Sequence, residues 1–286
     1  MYRFQSIALM AGLVGLFALI GFQLFGTVGA SFVLGLALAV NWLGLDRARD
    51  LVLWMHRARP LHPSQAPRIH AAVEQLARRA GIAVPQLALY PNQVPNAFAL
   101  AARKRDPVVA FSSGLLSLLS AREIRGVLAH EIAHLRHRDS AVSLTASILV
   151  QVITILSQGF ALLLILALLL GVVPEVGQVL PLVLLISVAP GMATLLQAGL
   201  MRTRERLADR EAARLTGDPR GLASALYRLQ QYTRMLSGWL GRFRFIYTAS
   251  QEAGSRLLRT HPPTQERVRD LLMLESTATP PLARVA

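Results

Sequence analysis

The chain of 286 residues has no cysteine, and only one of its 30 basic residues, Lys104, is a lysine. Without thiols, a disulfide scaffold, a zinc ribbon and a cysteine nucleophile are all excluded. The absence fits a reducing compartment without proving one. Charge is scarce as well. Asp, Glu, Lys and Arg make up 16% of the residues, where ordinary soluble domains carry about 25%. Hydrophobic residues reach 53%. Disordered and fibrous chains are polar or repetitive, so both are excluded. The same numbers argue against a purely soluble domain.

The scarcity of charge is uneven. Residues 4–45 carry no ionisable side chain, and residues 140–201 carry one, Glu175. Ser6–Phe25 is 20 residues long, enough to cross a hydrocarbon core of about 30 Å. Gly26-Thr27-Val28-Gly29 separates it from a shorter apolar run, Ala30–Leu45, which stops at Asp46 and Arg47. Trp42 lies near the end of that run, where indoles favour the membrane interface. The second apolar block divides between Gly171 and Gly177 into the arms Ser140–Leu170 and Gln178–Met201. Ser140, Ser143, Thr145 and Ser147 put the early turns of the first arm outside the lipid. Four transmembrane helices are expected. A cleaved signal peptide, with Arg3 and a small-residue site at Val28-Gly29-Ala30, competes for the first span. Its apolar stretch exceeds the roughly 7–15 residues of a signal core. Two buried helices in a large soluble core compete for the second block, but apolar runs this long are the usual mark of a membrane span.

The net charge is +14. Residues 46–139 hold 14 basic and 7 acidic groups, and residues 202–286 hold 15 and 8, so each block has a net charge of +7. In a four-span chain Arg3 and both blocks fall on one side, which the excess of arginine makes cytoplasmic. The surplus then faces an anionic bilayer surface. Nucleic acid is not needed to account for it, and no basic motif interleaved with aromatics is present. A transporter would carry ionisable groups within its spans, and residues 4–45 and 140–170 have none. The expected organisation is a membrane pair over 1–45, a cytoplasmic part over 46–139, a second membrane pair over 140–201 and a second cytoplasmic part over 202–286.

Within the polar blocks, Pro67–Ala80 has helical periodicity, with Ile69, Val73, Leu76 and Ala77 on one face, proline at the first turn and Gly81 at the end. Gln86–Tyr90 alternates as a short strand. Residues 96–100 and 107–111 form two further strands around a charged turn at Arg103-Lys104-Arg105-Asp106, giving a small sheet. Ser120-Ala121-Arg122-Glu123 is a capping box that starts a helix running to about Arg138.

That helix carries His130-Glu131-Ile132-Ala133-His134, the pattern HExxH. Residues four apart project from one helical face, so two imidazoles can converge on one zinc ion. Glu131 is then placed to take a proton from a water at the ion. A catalytic zinc needs a third protein ligand and an open position. Glu205 and Asp209 share a helical face just beyond the last apolar run. One can bind metal while the other orients a histidine. Five arginines between 202 and 214 leave open a solvated face of acid–base pairs instead.

Taken in order, these motifs resemble the HtpX-type membrane zinc metallopeptidases, relatives of the CAAX prenyl endopeptidases. The resemblance covers nearly the whole chain. Asn96-Ala97-Phe98 is similar to the family's substrate-binding edge strand, and HExxH followed by Asp139 to its catalytic helix. Glu205-x-x-Ala208-Asp209 is similar to the helix supplying the third ligand. His261-Pro262-Pro263 with Arg267 matches a late HPxxxxR motif.

The resemblance implies a mainly α membrane protein with a gluzincin-like zinc peptidase domain and a small β-sheet. It implies one zinc per chain on His130, His134 and Glu205, with Glu131 as general base and Asp209 and Asp139 as supports. It implies substrate binding at Asn96, Ala97 and Phe98 and a catalytic or supporting role for His261. His56, His62, His70 and His137 receive no role.

The expected activity is hydrolysis of misfolded or damaged membrane proteins, or other unfolded polypeptides, at the cytoplasmic face of a bacterial inner membrane. A prenyl-protein endopeptidase shares the chemistry but needs a larger intramembrane chamber. A non-catalytic zinc scaffold has no use for Glu131. Residues 227–256 carry no motif of the family.

Overall fold

The computed structural model describes residues 2–101, 105–172, 176–240 and 262–278. His261 and, of the expected 103–106 turn, Arg103 and Lys104 lie outside them. The chain divides into two compact units. One is built from Met1–Gly44 and Ala141–Arg204. The other contains Leu45–Ser140 and, among the described residues, 205–240 and 262–278.

The first unit is helical. Helix α1 spans Tyr2–Met55 and is broken at Phe25 and Gly26, where Gly26 takes φ 63° and ψ −152°. A residue with a Cβ rarely adopts such a backbone. Beyond the break the chain turns back on itself. A Cβ on Gly29 would come within 2.2 Å of the Gly21 carbonyl oxygen, so the missing Cβ of Gly29 lets the arms touch. The break falls in the stretch that divides the first apolar block.

Helices α5, Asp139–Leu169, and α6, Val176–Thr216, supply the rest. Leu13, Phe17 and Ile20 of α1 pack with Ala146, Leu149 and Ile153 of α5 and Ala189, Ala193 and Leu200 of α6. The other faces of these helices stay apolar and uncovered, as at Phe4, Leu162 and Leu169. Water would penalise such a surface, whereas lipid matches it.

Among the described residues three helical stretches are long and apolar enough to cross a membrane, Tyr2–Gln23, Asp139–Leu169 and Leu180–Thr216. The expected fourth span, Ala30–Leu45, is helical but not among them. Its 16 residues fall short of the about 20 that a bilayer needs.

The second unit holds a four-stranded sheet in the order β1-β2-β4-β3. The strands are β1 Arg59–Pro60, β2 Gln86–Tyr90, β3 Ala97–Leu100 and β4 Val108–Ser112. β2 and β4 are parallel, while β3 runs antiparallel to β4 and is a terminal strand. Helices α2, Pro67–Ala80, and α4, Ala121–Arg136, cover the sheet with α7, Pro219–Leu240, and α8, Thr264–Ala278. Val73, Leu76, Val109, Phe111, Leu128, Ile132, Leu222 and Leu271 join them in one core. The short helix α3, Ser113–Leu118, is capped by Ser112 Oγ, which accepts from Leu115 N–H at 3.1 Å.

Helix α4 begins with the expected capping box. Glu123 Oε2 accepts from Ser120 N–H at 2.8 Å, and Ser120 Oγ faces the Glu123 amide. Glu123 is almost fully buried, and its other oxygen meets Ser224 Oγ at 2.5 Å and Arg228 Nε at 2.9 Å. Burial alone would raise its pKa, but Ser224, Ser120 and Arg228 together hold the carboxyl below the usual range.

Helices α4 and α7 touch through glycine. A Cβ on Gly126 would lie 2.8 Å from Leu222 N and 2.9 Å from Leu222 Cα. Backbone cannot yield as a flexible side-chain tip does. Gly126→Ala is therefore expected to destabilise the protein by about 1–3 kcal/mol, despite the helix propensity of alanine. Thermal unfolding in detergent checks this, and an unchanged or raised midpoint would contradict the packing.

Candidate metal centre

One helical face of α4 carries His130 and His134, and α6 brings Glu205 to it. His130 Nε2 and His134 Nε2 are 3.0 Å apart. Glu205 Oε2 lies 3.5 Å from His130 Nε2, and Glu205 Oε1 lies 3.8 Å from His134 Nε2. A tetrahedral ion with bonds of about 2.0–2.2 Å separates its ligand atoms by about 3.3–3.6 Å. The three donor atoms lie within 4.8 Å of one another. The donor set thus fits a small divalent metal in size and in chemistry.

The outward nitrogens of both rings face carboxylates. His134 Nδ1 is 2.6 Å from Asp139 Oδ2, and His130 Nδ1 is 3.0 Å from Asp209 Oδ1. Each carboxylate favours a proton on Nδ1, which leaves the Nε2 lone pair for the centre. Asp139 opens α5, while Asp209 lies one helical turn beyond Glu205 on α6.

Arg267 of α8 ties the acidic residues together. Its guanidinium donates to both oxygens of Asp209, at 2.8 and 2.7 Å, and lies 3.0 Å from Glu205 Oε2. The three side chains are nearly withdrawn from water. Burial would raise the Asp209 pKa, but Arg267 and His130 hold it below the usual carboxylate range. Glu211, further along α6, pairs with Arg136 and Arg214.

The environments of the two imidazoles are unequal. Burial favours the neutral ring at both positions. At His130 the contacts with Asp209 and Glu205 override burial and push the pKa up to about 10. At His134 burial and the adjacent His130 charge bring it down to about 4.

Glu131 sits beside His130 on α4 and is 8% exposed. Its charge is felt at His134, Arg267 and Tyr90. Six expected site residues, His130, Glu131, His134, Asp139, Glu205 and Asp209, therefore gather in one buried polar cluster. Asn96 and Ala97 stand at the start of the terminal strand β3. The Phe98 ring packs against His56 and Tyr90 at centroid distances of 5.1 and 5.6 Å. Arg267 was visible in the sequence only as the last residue of the HPxxxxR motif, with no role of its own.

The family model described as Peptidase family M48 matches residues 63–275. A protein named Protease HtpX homolog from Salinibacter ruber is 35% identical over 274 residues, covering 94% of this chain and 96% of that one. Another of the same name, from Pyrococcus abyssi, is 37% identical over 271 residues, covering 92% of each. Among solved structures, that of S. mikatae Ste24p matches with a TM-score of 0.52 at 18% identity. The match covers 94% of this chain and 65% of the Ste24p chain. Likeness at that identity shows a shared fold. Given a family match that includes the whole of α4 and reaches across Glu205 and Arg267, the chain belongs to peptidase family M48 and is a membrane metalloprotease.

Proposed function

We propose that the protein is a zinc-dependent endopeptidase that cuts misfolded or damaged membrane proteins at the cytoplasmic face of a bacterial inner membrane. The observation that carries this reading is the convergence of His130 and His134 of α4 with Glu205 of α6, His130 being next in sequence to the buried Glu131. Zinc is favoured by two imidazoles and one carboxylate, the donor set of catalytic zinc with an open position. When bound it supplies Lewis acidity and lowers the pKa of water.

The chain's own groups do the rest. Glu131 takes a proton from the attacking water and delivers it to the leaving amine. Asp139 and Asp209 fix the two rings, and Arg267 balances the buried carboxylates. A substrate in extended form adds a strand along β3, using Asn96, Ala97 and Phe98. Main-chain hydrogen bonds then supply affinity that is nearly independent of sequence, as removal of diverse damaged proteins requires. The excess of arginine in 46–139 and 202–286 supports the cytoplasmic side.

Membrane vesicles test activity and side together. Inverted vesicles, cytoplasmic face outward, are expected to hydrolyse added casein. A chelator abolishes the cleavage and zinc restores it. Right-side-out vesicles leave casein intact. Cleavage by right-side-out vesicles alone would reverse the orientation, and chelator-resistant cleavage would contradict the zinc reading.

A further inference from the structure

The outer edge of β3 is stopped at one end by a side chain. Ser112 N–H donates to the Asn96 carbonyl at 2.9 Å. By the alternation of an antiparallel pair, the main-chain groups of Asn96, Phe98 and Leu100 face β4, and those of Ala97, Ala99 and Ala101 face outward. Two of these outward groups are already taken. Ser140 Oγ donates to the Ala99 carbonyl at 3.2 Å and accepts from Ala101 N–H at 3.2 Å. No described residue outside the sheet bonds to Ala97 N–H, Ala97 C=O or Ala99 N–H. Among the described residues the free edge is thus three groups long. It ends at the residue that follows Asp139, the partner of His134 Nδ1. The edge stop and the support of a proposed metal ligand are adjacent in the chain.

We propose that Ser140 sets the end of the substrate's paired strand, so that the substrate amide facing the Ala99 carbonyl makes no hydrogen bond. This rests on the reading of β3 as the substrate edge. It carries a specificity: proline or an N-methylated residue is accepted without loss at that substrate position and disfavoured two residues away, where an amide must reach Ala97 C=O. The spacing is the same whether the added strand runs parallel or antiparallel to β3. Ser140 is a positioning residue, since it acts on the substrate only by occupying the strand.

The test uses one casein-derived peptide that the full-length protein cleaves, synthesised as a series with one backbone amide methylated at a time. kcat/KM is measured for wild type, Ser140→Ala and Ser140→Thr, and product masses locate the scissile bond. Wild type is expected to lose about 2- to 12-fold at the amide facing Ala97, the equivalent of one hydrogen bond, and nothing at the amide two residues on. Ser140→Ala frees the Ala99 carbonyl and becomes sensitive at both. Ser140→Thr keeps the hydroxyl and the wild-type pattern. A merely structural role for Ser140 would lower all rates without creating a new sensitive position. The same methylation pattern in wild type and Ser140→Ala would overturn the proposal. Wild type insensitive to methylation everywhere but the scissile bond would overturn the edge-strand reading, and this inference with it.

Discussion

Glu131→Gln is expected to retain its metal and lose hydrolysis of casein by at least about 100-fold, the low end of what a positioned general acid–base supplies. The reasoning starts from shape. Glutamine fills the same volume at this buried position of α4, so His130 and His134 keep their places one turn apart. None of the three donor atoms is touched, and metal content should equal that of wild type. What is lost is a carboxylate that can take a proton from water and hand it to an amine. An amide does neither at neutral pH. Retained activity would remove Glu131 from the chemistry. Loss of metal together with activity would instead mean that the carboxylate holds the site together.

Arg267→Ala should have the largest effect on stability. The guanidinium is the common partner of Asp209 and Glu205, two carboxylates that are 4% and 9% exposed. Removing one member of a buried ionic cluster leaves the others charged and dry, which costs about 3–5 kcal/mol. The midpoint of thermal unfolding should fall by several degrees. Metal retention should weaken as well, because Asp209 no longer holds its place against His130 Nδ1. Arg267→Lys is expected to lie between the two, since an ammonium cannot donate to both Asp209 oxygens in the planar arrangement of arginine. A midpoint for Arg267→Ala equal to that of wild type would contradict this account of the cluster.

The parts of the molecule that were legible in the sequence are local ones. The capping box of Ser120 and Glu123, the break near Gly26 and the facing of His130 and His134 each depend on residues within a few positions of one another. The pairing of β3 with β4 was readable from two apolar runs around a charged turn. The parallel pairing of β2 with β4 was not, since parallel strands join through distant chain and leave no turn between them. The two-residue strand β1 is too short to have a period.

The apolar run that ends at Met201 and the acidic residues Glu205 and Asp209 lie on one helix, from Val176 to Thr216. Arginine ends a hydrophobic run but not a helix, because its helix propensity is high. Asp209 and Arg267 are 58 residues apart in sequence, and only the packing of α8 beside α6 brings them together. Residues 227–240, without a motif, continue α7.

The most direct test of the account is the zinc content of wild type and Glu205→Ala, purified in detergent and dialysed side by side. His130, His134 and Glu205 as the ligand set predicts about one zinc per chain for wild type and a clear loss for the variant. Equal zinc in both would contradict the assignment and move the third ligand to another carboxylate of the cluster, with Asp209 the first to examine.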